Sequence, residues 1–351
     1  MENRAVEIRY EYNSENFRGT IYSPYNPMRV DQASTSESMT DDYHYHLFRL
    51  THKNLLRCQL INVAGKQIIY DDFDLTFTDW VENLDENSQP VMKFSYGSSL
   101  ETTYIPDSFK LVIRSLVKVI VFFHRKGLCT TGFDTSNLVF QDLTNPGLRI
   151  WRIKFMNASP KAISNDYLCI YRIIEILLNR GLELPNDMAD LLRILHNGRQ
   201  SGLITHHVAL LTHDERGHFV RKCSECSVGH RGFIGLFEQA VINLGPQNGW
   251  KAKITSQHGP VFSIINYNQN LQGGAYVDTG RILTVNKSMF RCCRNLSAHL
   301  HEQSDLVNSH IGVREADLMI MHIFGRQITK FQKRLYDCNI LSHFLLLKEE
   351  L

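Results

Sequence analysis

What most restricts the fold of this 351-residue chain is where its two hydrophobic periods fall. Strand-like runs are confined to the first part of the chain and one later hairpin; helical periodicity governs the rest. Cys58–Val63 and Gln67–Tyr70 flank Ala64-Gly65-Lys66 and read as a β-hairpin. Before it, Gln32–Asp42 is rich in Ser, Thr and Asp and reads as a loop. After it, Leu75–Leu84, with Trp80 and Val81, reads as a short helix. Asp107–Lys126 carries Ile113, Leu116, Val117, Ile120 and Phe123 at i, i+3, i+4 spacing, and Gly127 stands where a left-handed helix cap belongs. A second hairpin follows, Asn137–Asp142 and Leu148–Phe155 around Asn145-Pro146-Gly147.

Beyond that point every pattern is helical. Asp166–Asn179 is apolar almost all round, which predicts a buried helix. Asn186–His196 sets Met188, Leu191, Leu192 and Leu195 on one face. A new unit begins near His207, and Thr212-His213-Asp214-Glu215 fits a capping box at a helix start. The last helices expected are Asp317–Tyr336 and Asn339–Leu347. A chain this long exceeds one ordinary core. The order predicts an α+β protein: a small strand-rich lobe over about 1–103, a helical lobe over about 104–206, and a second, all-helical unit over 207–351.

With 43% hydrophobic and 21% charged residues, the chain is globular rather than disordered. Its 38 basic residues against 36 acidic ones leave a net charge of +2, so a nucleic-acid partner would have to be met by a local basic patch. The eight cysteines are scattered and do not read as a disulfide framework. Met1–Tyr10 has no apolar leader core, and Val119–Phe123 falls far short of the roughly 20 residues that a membrane span needs. The expected setting is a reducing one, cytoplasmic or nuclear, with no membrane contact.

Specific strings carry a family resemblance. His52-Lys53-Asn54-Leu55-Leu56-Arg57 is similar to the run before the fourth strand of protein kinases. His124-Arg125-Lys126-Gly127-Leu128-Cys129-Thr130-Thr131-Gly132-Phe133-Asp134-Thr135-Ser136-Asn137-Leu138-Val139 is similar, with its spacing kept, to the kinase catalytic loop. Thr130-Thr131-Gly132 occupies the H-R-D triplet, so Gly132 replaces the proton-accepting Asp, and Lys154-Phe155-Met156 stands in place of D-F-G. Further on, His207–Thr212 with Glu215-Arg216 and Phe219-Val220, then Trp250 with Lys253, then Phe290–Glu302 resemble a KEN ribonuclease domain in that order. The chain thus resembles the pseudokinase–ribonuclease pair of the family of ribonuclease L and the inositol-requiring kinase/endoribonuclease of the unfolded protein response. The resemblance implies a two-lobed, protein-kinase-like fold followed by an all-helical KEN domain. Phosphoryl transfer needs placed metal ions and an oriented nucleophile, and the residues for both are missing. Asn137 is the one kept candidate for cofactor binding, and the loss of the rest of the signature argues against nucleotide binding.

Cleavage of RNA through its own 2′-hydroxyl needs a base, an acid and a cation for the phosphate, and no metal or other cofactor. By the resemblance, His299 is the general acid, Arg294 stabilises the phosphate and Asn295 positions it. His titrates near neutrality and Arg offers a planar, permanently charged fork. Arg294 and His299 are five residues apart, so on one helix they are not quite on the same face, and a bend or a helix end between them could bring both to one phosphate. The family's aromatic residue would fall at Arg281, and the nearest Tyr is Tyr276. Either the loop Gly273–Asn286 is rearranged so that Tyr276 reaches in, or the base is missing.

Plainer readings stand beside these. Arg291, Arg294 and His299 could be a solvated helix face; Cys223, Cys226 and His230 read as structural, as do Cys292 and Cys293. His206, His207 and His213 read as surface histidines, and Trp250 as a core anchor. Two functional classes fit: an endoribonuclease acting on RNA as a homodimer, or an inactive interaction module that pairs with a related active protein and regulates it.

Overall fold

The computed structural model describes residues 7–13, 16–22, 27–32, 46, 49–62, 67–85, 88–96, 100–141, 147–179, 181–198, 201–228, 234–245, 247, 250, 254, 282–299 and 312–345. In chain order the strands are β1 (Glu7–Asn13), β2 (Asn16–Tyr22), β3 (Pro27–Gln32), β4 (Cys58–Asn62), β5 (Gln67–Asp71), β6 (Leu75–Thr76), β7 (Met92–Tyr96), β8 (Leu100–Tyr104), β9 (Leu128–Thr130), β10 (Leu138–Phe140), β11 (Leu148–Ile150) and β12 (Phe155–Asn157). The α-helices are α1 (Phe77–Glu82), α2 (Asp107–Arg125), α3 (Pro160–Leu178), α4 (Asn186–Asn197), α5 (Ser201–Thr205), α6 (His213–Val228), α7 (Ile234–Asn243), α8 (Ile282–His299) and α9 (Val313–Asp337). The architecture is therefore mixed, and among the described residues every element after Asn157 is helical. No described helix is long and apolar enough to cross a membrane.

Two compact units divide the chain. One comprises Met1–Gln89, Leu111–Leu177 and Leu195–Arg199, and the other Pro90–Lys110, Leu178–Ile194 and Gln200–Leu351.

In the first unit five strands pair in the order β1-β2-β3-β5-β4, all antiparallel. The β4–β5 hairpin is the one expected, with Ile61 opposite Ile68. Helix α1 opens on a capping box in which Thr76 and Asp79 exchange side-chain-to-backbone bonds. In the β10–β11 hairpin Leu138 faces Ile150, but the second strand stops there instead of running on to Phe155. Arg152 has a φ of +54°, which turns the chain, and Phe155–Asn157 pairs with β9 instead. Trp151 packs against Phe73 and Tyr70, and its indole N–H donates to the Ser136 carbonyl.

Helix α3 begins six residues earlier than its apolar pattern. Ser159 Oγ accepts from the Ala162 N–H and Pro160 takes the first helical position, a start signal outside the apolar run. Nor is α3 buried all round: Tyr167, Ile170, Ile173 and Ile174 face inward while Ile176 is 58% exposed.

The second unit is built around α6 to α9. Phe331 meets Phe237 and Phe290, and Phe237 stacks on Phe344, with ring centroids 4.4–5.7 Å apart, and Trp250 meets Phe324 as the core anchor expected. Cys223, Cys226, Cys292 and Cys293 all lie in this core. Burial pushes the Cys223 and Cys293 thiols well above their ordinary range, which keeps them as packing groups.

Of the junction histidines, His207 and His213 are buried and His206 is partly so. His207 is 1% and His213 8% exposed. His207 Nδ1 accepts the Ala209 N–H, and its Nε2 lies 3.4 Å from Asp190 Oδ2. Fully buried Gln332 of α9 accepts the Val208 N–H and donates to the His206 carbonyl, which satisfies both sides of that turn.

His213 belongs to a buried ionic cluster. Arg216 grips both oxygens of Asp317 and reaches Asp187 through Nη1, at 3.3 Å. His213 lies 2.5 Å from Asp317 and 3.5 Å from Asp107, which in turn holds Lys110 at 2.8 Å. Such a set of charges is tolerable in a core only because each one is paired.

Lys110 is 1% exposed, and burial, aided by the neighbouring Arg216, pushes its amine down to about 8 against the pull of Asp107 and Asp317. Between about 8 and 10.5 the unfolded chain keeps a proton that the folded chain releases, so stability rises with pH across that window. At neutral pH the buried charge costs on the order of 3 kcal/mol. Lys110→Met should therefore match or exceed the parent in stability at pH 7, because Asp107 is a third exposed and keeps His213 as neighbour. That advantage should fade towards pH 10.5 when urea unfolding is followed across the window. Parallel pH profiles for the two proteins would refute the assignment.

Candidate active site

Helix α8 carries three of the candidate residues. Its inner face buries Met289, Phe290, Cys292, Cys293 and Leu296, and its outer face exposes Arg291 and Arg294. Asn295 is 7% exposed, and its Oδ1 accepts a hydrogen bond from Arg294 Nη1 at 2.9 Å. The guanidinium is thus held at the surface by a side chain fixed in the core. The helix runs uninterrupted from Ile282 to His299, its last residue, so no bend or end separates Arg294 from His299. Five residues place the two about 140° apart around the axis and about 7.5 Å along it. Asn295 is bonded to Arg294 and stands four residues, about one turn, before His299.

Of the expected loop Gly273–Asn286, Ile282–Asn286 is helical and the rest lies outside the described residues. Asn286 is wholly buried, donates to the carbonyls of Val241 and Gly245 and accepts the Gln247 N–H. It caps the C-terminal end of α7 and so anchors the first turns of α8. A polar residue inside an apolar helical repeat was the signal for this role. Tyr276 lies outside the described residues, as do Lys253 and His230.

In the first unit the loop after β9 is fixed by its own backbone. Gly132 has a φ of +121°, a conformation that a residue with a side chain rarely adopts. Gly132→Asp would therefore strain the backbone there. Asn137 spends its side chain on the backbone: Oδ1 accepts from Asp134 N, and Nδ2 donates to the carbonyls of Trp151 and Arg152. Lys154 gives its carbonyl to the Thr131 N–H.

Behind this loop Asp166 is fully buried and receives His124 Nε2 at 2.8 Å together with the backbone and hydroxyl of Thr130. Cys129 lies beside them, and the three could in principle share a cation. Asp166 already accepts from these three donors, and burial, with Asp166 adding to it, pushes the Cys129 thiol up to about 11. Three such groups also fall short of the four donors of a structural zinc site. The cluster reads as a polar brace between α2, β9 and α3.

No protein-family model matches this chain, and no curated protein is similar to it in sequence. Among solved structures it is similar to the crystal structure of Rad53 1–466 in complex with AMP-PNP, at 10% identity and a TM-score of 0.43, over 59% of this chain and 65% of that one. It is also similar to the crystal structure of the Rad53 kinase domain and SCD2, at 10% identity and a TM-score of 0.43, over 57% of this chain and 88% of that one. The match to the first thus spans less than two thirds of its length.

Proposed function

We propose that this protein is a metal-independent endoribonuclease with a kinase-like region (1–206) that does not transfer phosphate and serves dimerisation or regulation, followed by a KEN-type ribonuclease domain (207–351). The observation that carries the reading is the Arg294–Asn295 pair, an exposed guanidinium steadied by a buried carboxamide one turn before His299. In the proposed reaction the 2′-hydroxyl attacks the adjacent phosphorus. A base, for which Tyr276 is the candidate, takes its proton. Arg294 bears the charge that gathers on the phosphate oxygens, and Asn295 keeps that guanidinium in place. The P–O5′ bond breaks as His299 protonates the leaving oxygen, giving a 2′,3′-cyclic phosphate and a 5′-hydroxyl end.

The loop geometry at Gly132 and the engagement of Asn137 support the absence of phosphoryl transfer. A second reading, an inactive module that regulates an active relative, draws support from Asn286. By anchoring α8 it leaves only the segment before Ile282 to deliver Tyr276.

Purified protein over a concentration series, incubated in EDTA with a structured RNA carrying single-stranded loops, separates the two. The ribonuclease reading expects cyclic-phosphate ends, a rate rising more than linearly with protein, and no effect of EDTA. Absence of cleavage at every concentration, together with binding to an active relative, would replace it with the regulatory one.

A further inference from the structure

A chain with almost balanced charge can meet a polyanion only through a local excess of one sign, and α8 has one. Its 18 residues contain no Asp or Glu, and its charged side chains are Lys287, Arg291 and Arg294, with His299 at the end. Lys287, Arg291 and Arg294 stand at i, i+4 and i+7, which puts them in one stripe along the helix. Arg291 and Arg294 are exposed, whereas Lys287 is 22% exposed and its Nζ lies 2.8 Å from Glu238 Oε1 of α7. Neighbours at this spacing sit about 5–6 Å apart at Cβ, a separation that flexible cationic arms can match to successive phosphates of one strand.

Resting on the ribonuclease reading, we propose that Lys287, Arg291 and Arg294 form a phosphate-tracking stripe for single-stranded RNA. Arg294 takes the scissile phosphate, Arg291 the neighbouring one, and Lys287 a third, for which Glu238 competes. Arg291 is accordingly a positioning residue. A single strand is the form that fits, because one row of cations along one helix follows one backbone. Glu238 tempers the affinity, since Lys287 must leave this half-buried ion pair to meet a phosphate.

The test is the binding of a fluorescent 2′-O-methyl oligouridylate, which offers phosphates but no nucleophilic hydroxyl, followed by anisotropy over a range of salt. Arg291→Ala should weaken binding about 3- to 10-fold and flatten the slope of log Kd against log salt by about 0.7, the contribution of one single-strand phosphate contact. Arg291→Lys should restore most of both. Glu238→Gln should tighten binding about 2- to 5-fold, a gain that misfolding cannot imitate. Unchanged affinity and slope in both Arg291→Ala and Glu238→Gln would overturn the stripe, even in a protein that cleaves RNA. Normal stripe behaviour in a protein that cleaves no RNA would instead remove the ribonuclease reading and leave the stripe standing. Tighter binding to phosphatidylserine vesicles than to the oligonucleotide would overturn the assignment to RNA.

Discussion

Arg216→Ala should lower the unfolding free energy by about 3–5 kcal/mol, the range for removing one member of a buried charge pair. The guanidinium is 4% exposed and neutralises two carboxylates, Asp317 and Asp187, themselves 6% and 7% exposed. Alanine would leave both as buried anions, with His213 and Lys110 as the remaining help of Asp317. The acid limb should change as well. Burial pushes the Asp317 carboxyl up, but Arg216, then His213 and Lys110, outweigh it and hold the group below its ordinary 3.8. Its contribution is therefore present above about pH 3.8 and is lost as pH falls through the lower folded value. Without Arg216 the burial effect dominates, the carboxyl rises, and the loss of stability should begin at higher pH. Arg216→Lys should fall between, since a single ammonium cannot bridge both oxygens of Asp317 and still reach Asp187. Urea unfolding at pH 7 and pH 4 would measure all three proteins. A loss below about 1 kcal/mol with an unshifted acid limb would show that the cluster relaxes into water rather than holding the unit together.

That cluster was not legible in the sequence, and its spacing explains why. Arg216 meets Asp187 across 29 positions and Asp317 across 101, and His213 meets Asp317 across 104. Local pattern therefore gives His213 no reason to be buried, and the default of a surface histidine fails there and at His207. Features whose cause lies within a few residues were readable. The capping box at Thr212 and Glu215 forms as expected, as do the β4–β5 hairpin and the positive-φ cap at Gly127. The helix over 107–125 followed from its apolar spacing because one face alone packs inward. Where the reading slipped, a local signal had been outweighed. Ser159-Pro160 starts α3 ahead of its apolar run, and Arg152 ends β11 before its strand-like residues do. In the candidate site the sequence marked Arg294 and Asn295 but could not reveal that one is exposed and the other buried beneath it. That difference in depth is what gives the pair a charged end and an anchored end.

On the proposed ribonuclease reading, His299→Ala should lower turnover by about 10²–10⁴-fold, the usual contribution of a group that gives or takes a proton in the transition state. The helix continues through Arg294 and Asn295 to this residue, so the substitution leaves the pair ahead of it in place. Affinity for the uncleavable oligonucleotide should change little, because a proton donor to the leaving oxygen acts only as the bond breaks. Arg294→Ala should differ in kind. Losing the cation that bears the phosphate charge should reduce both affinity and rate. An RNA with a bridging sulfur in place of the scissile 5′-oxygen tells the two roles apart, since a thiolate departs without being protonated. On that substrate His299→Ala should recover most of the lost rate and Arg294→Ala should not. Recovery of neither would assign His299 to holding the helix end rather than to proton transfer. An unchanged rate in His299→Ala on ordinary RNA would remove it from the reaction altogether and move the chemistry away from the end of α8.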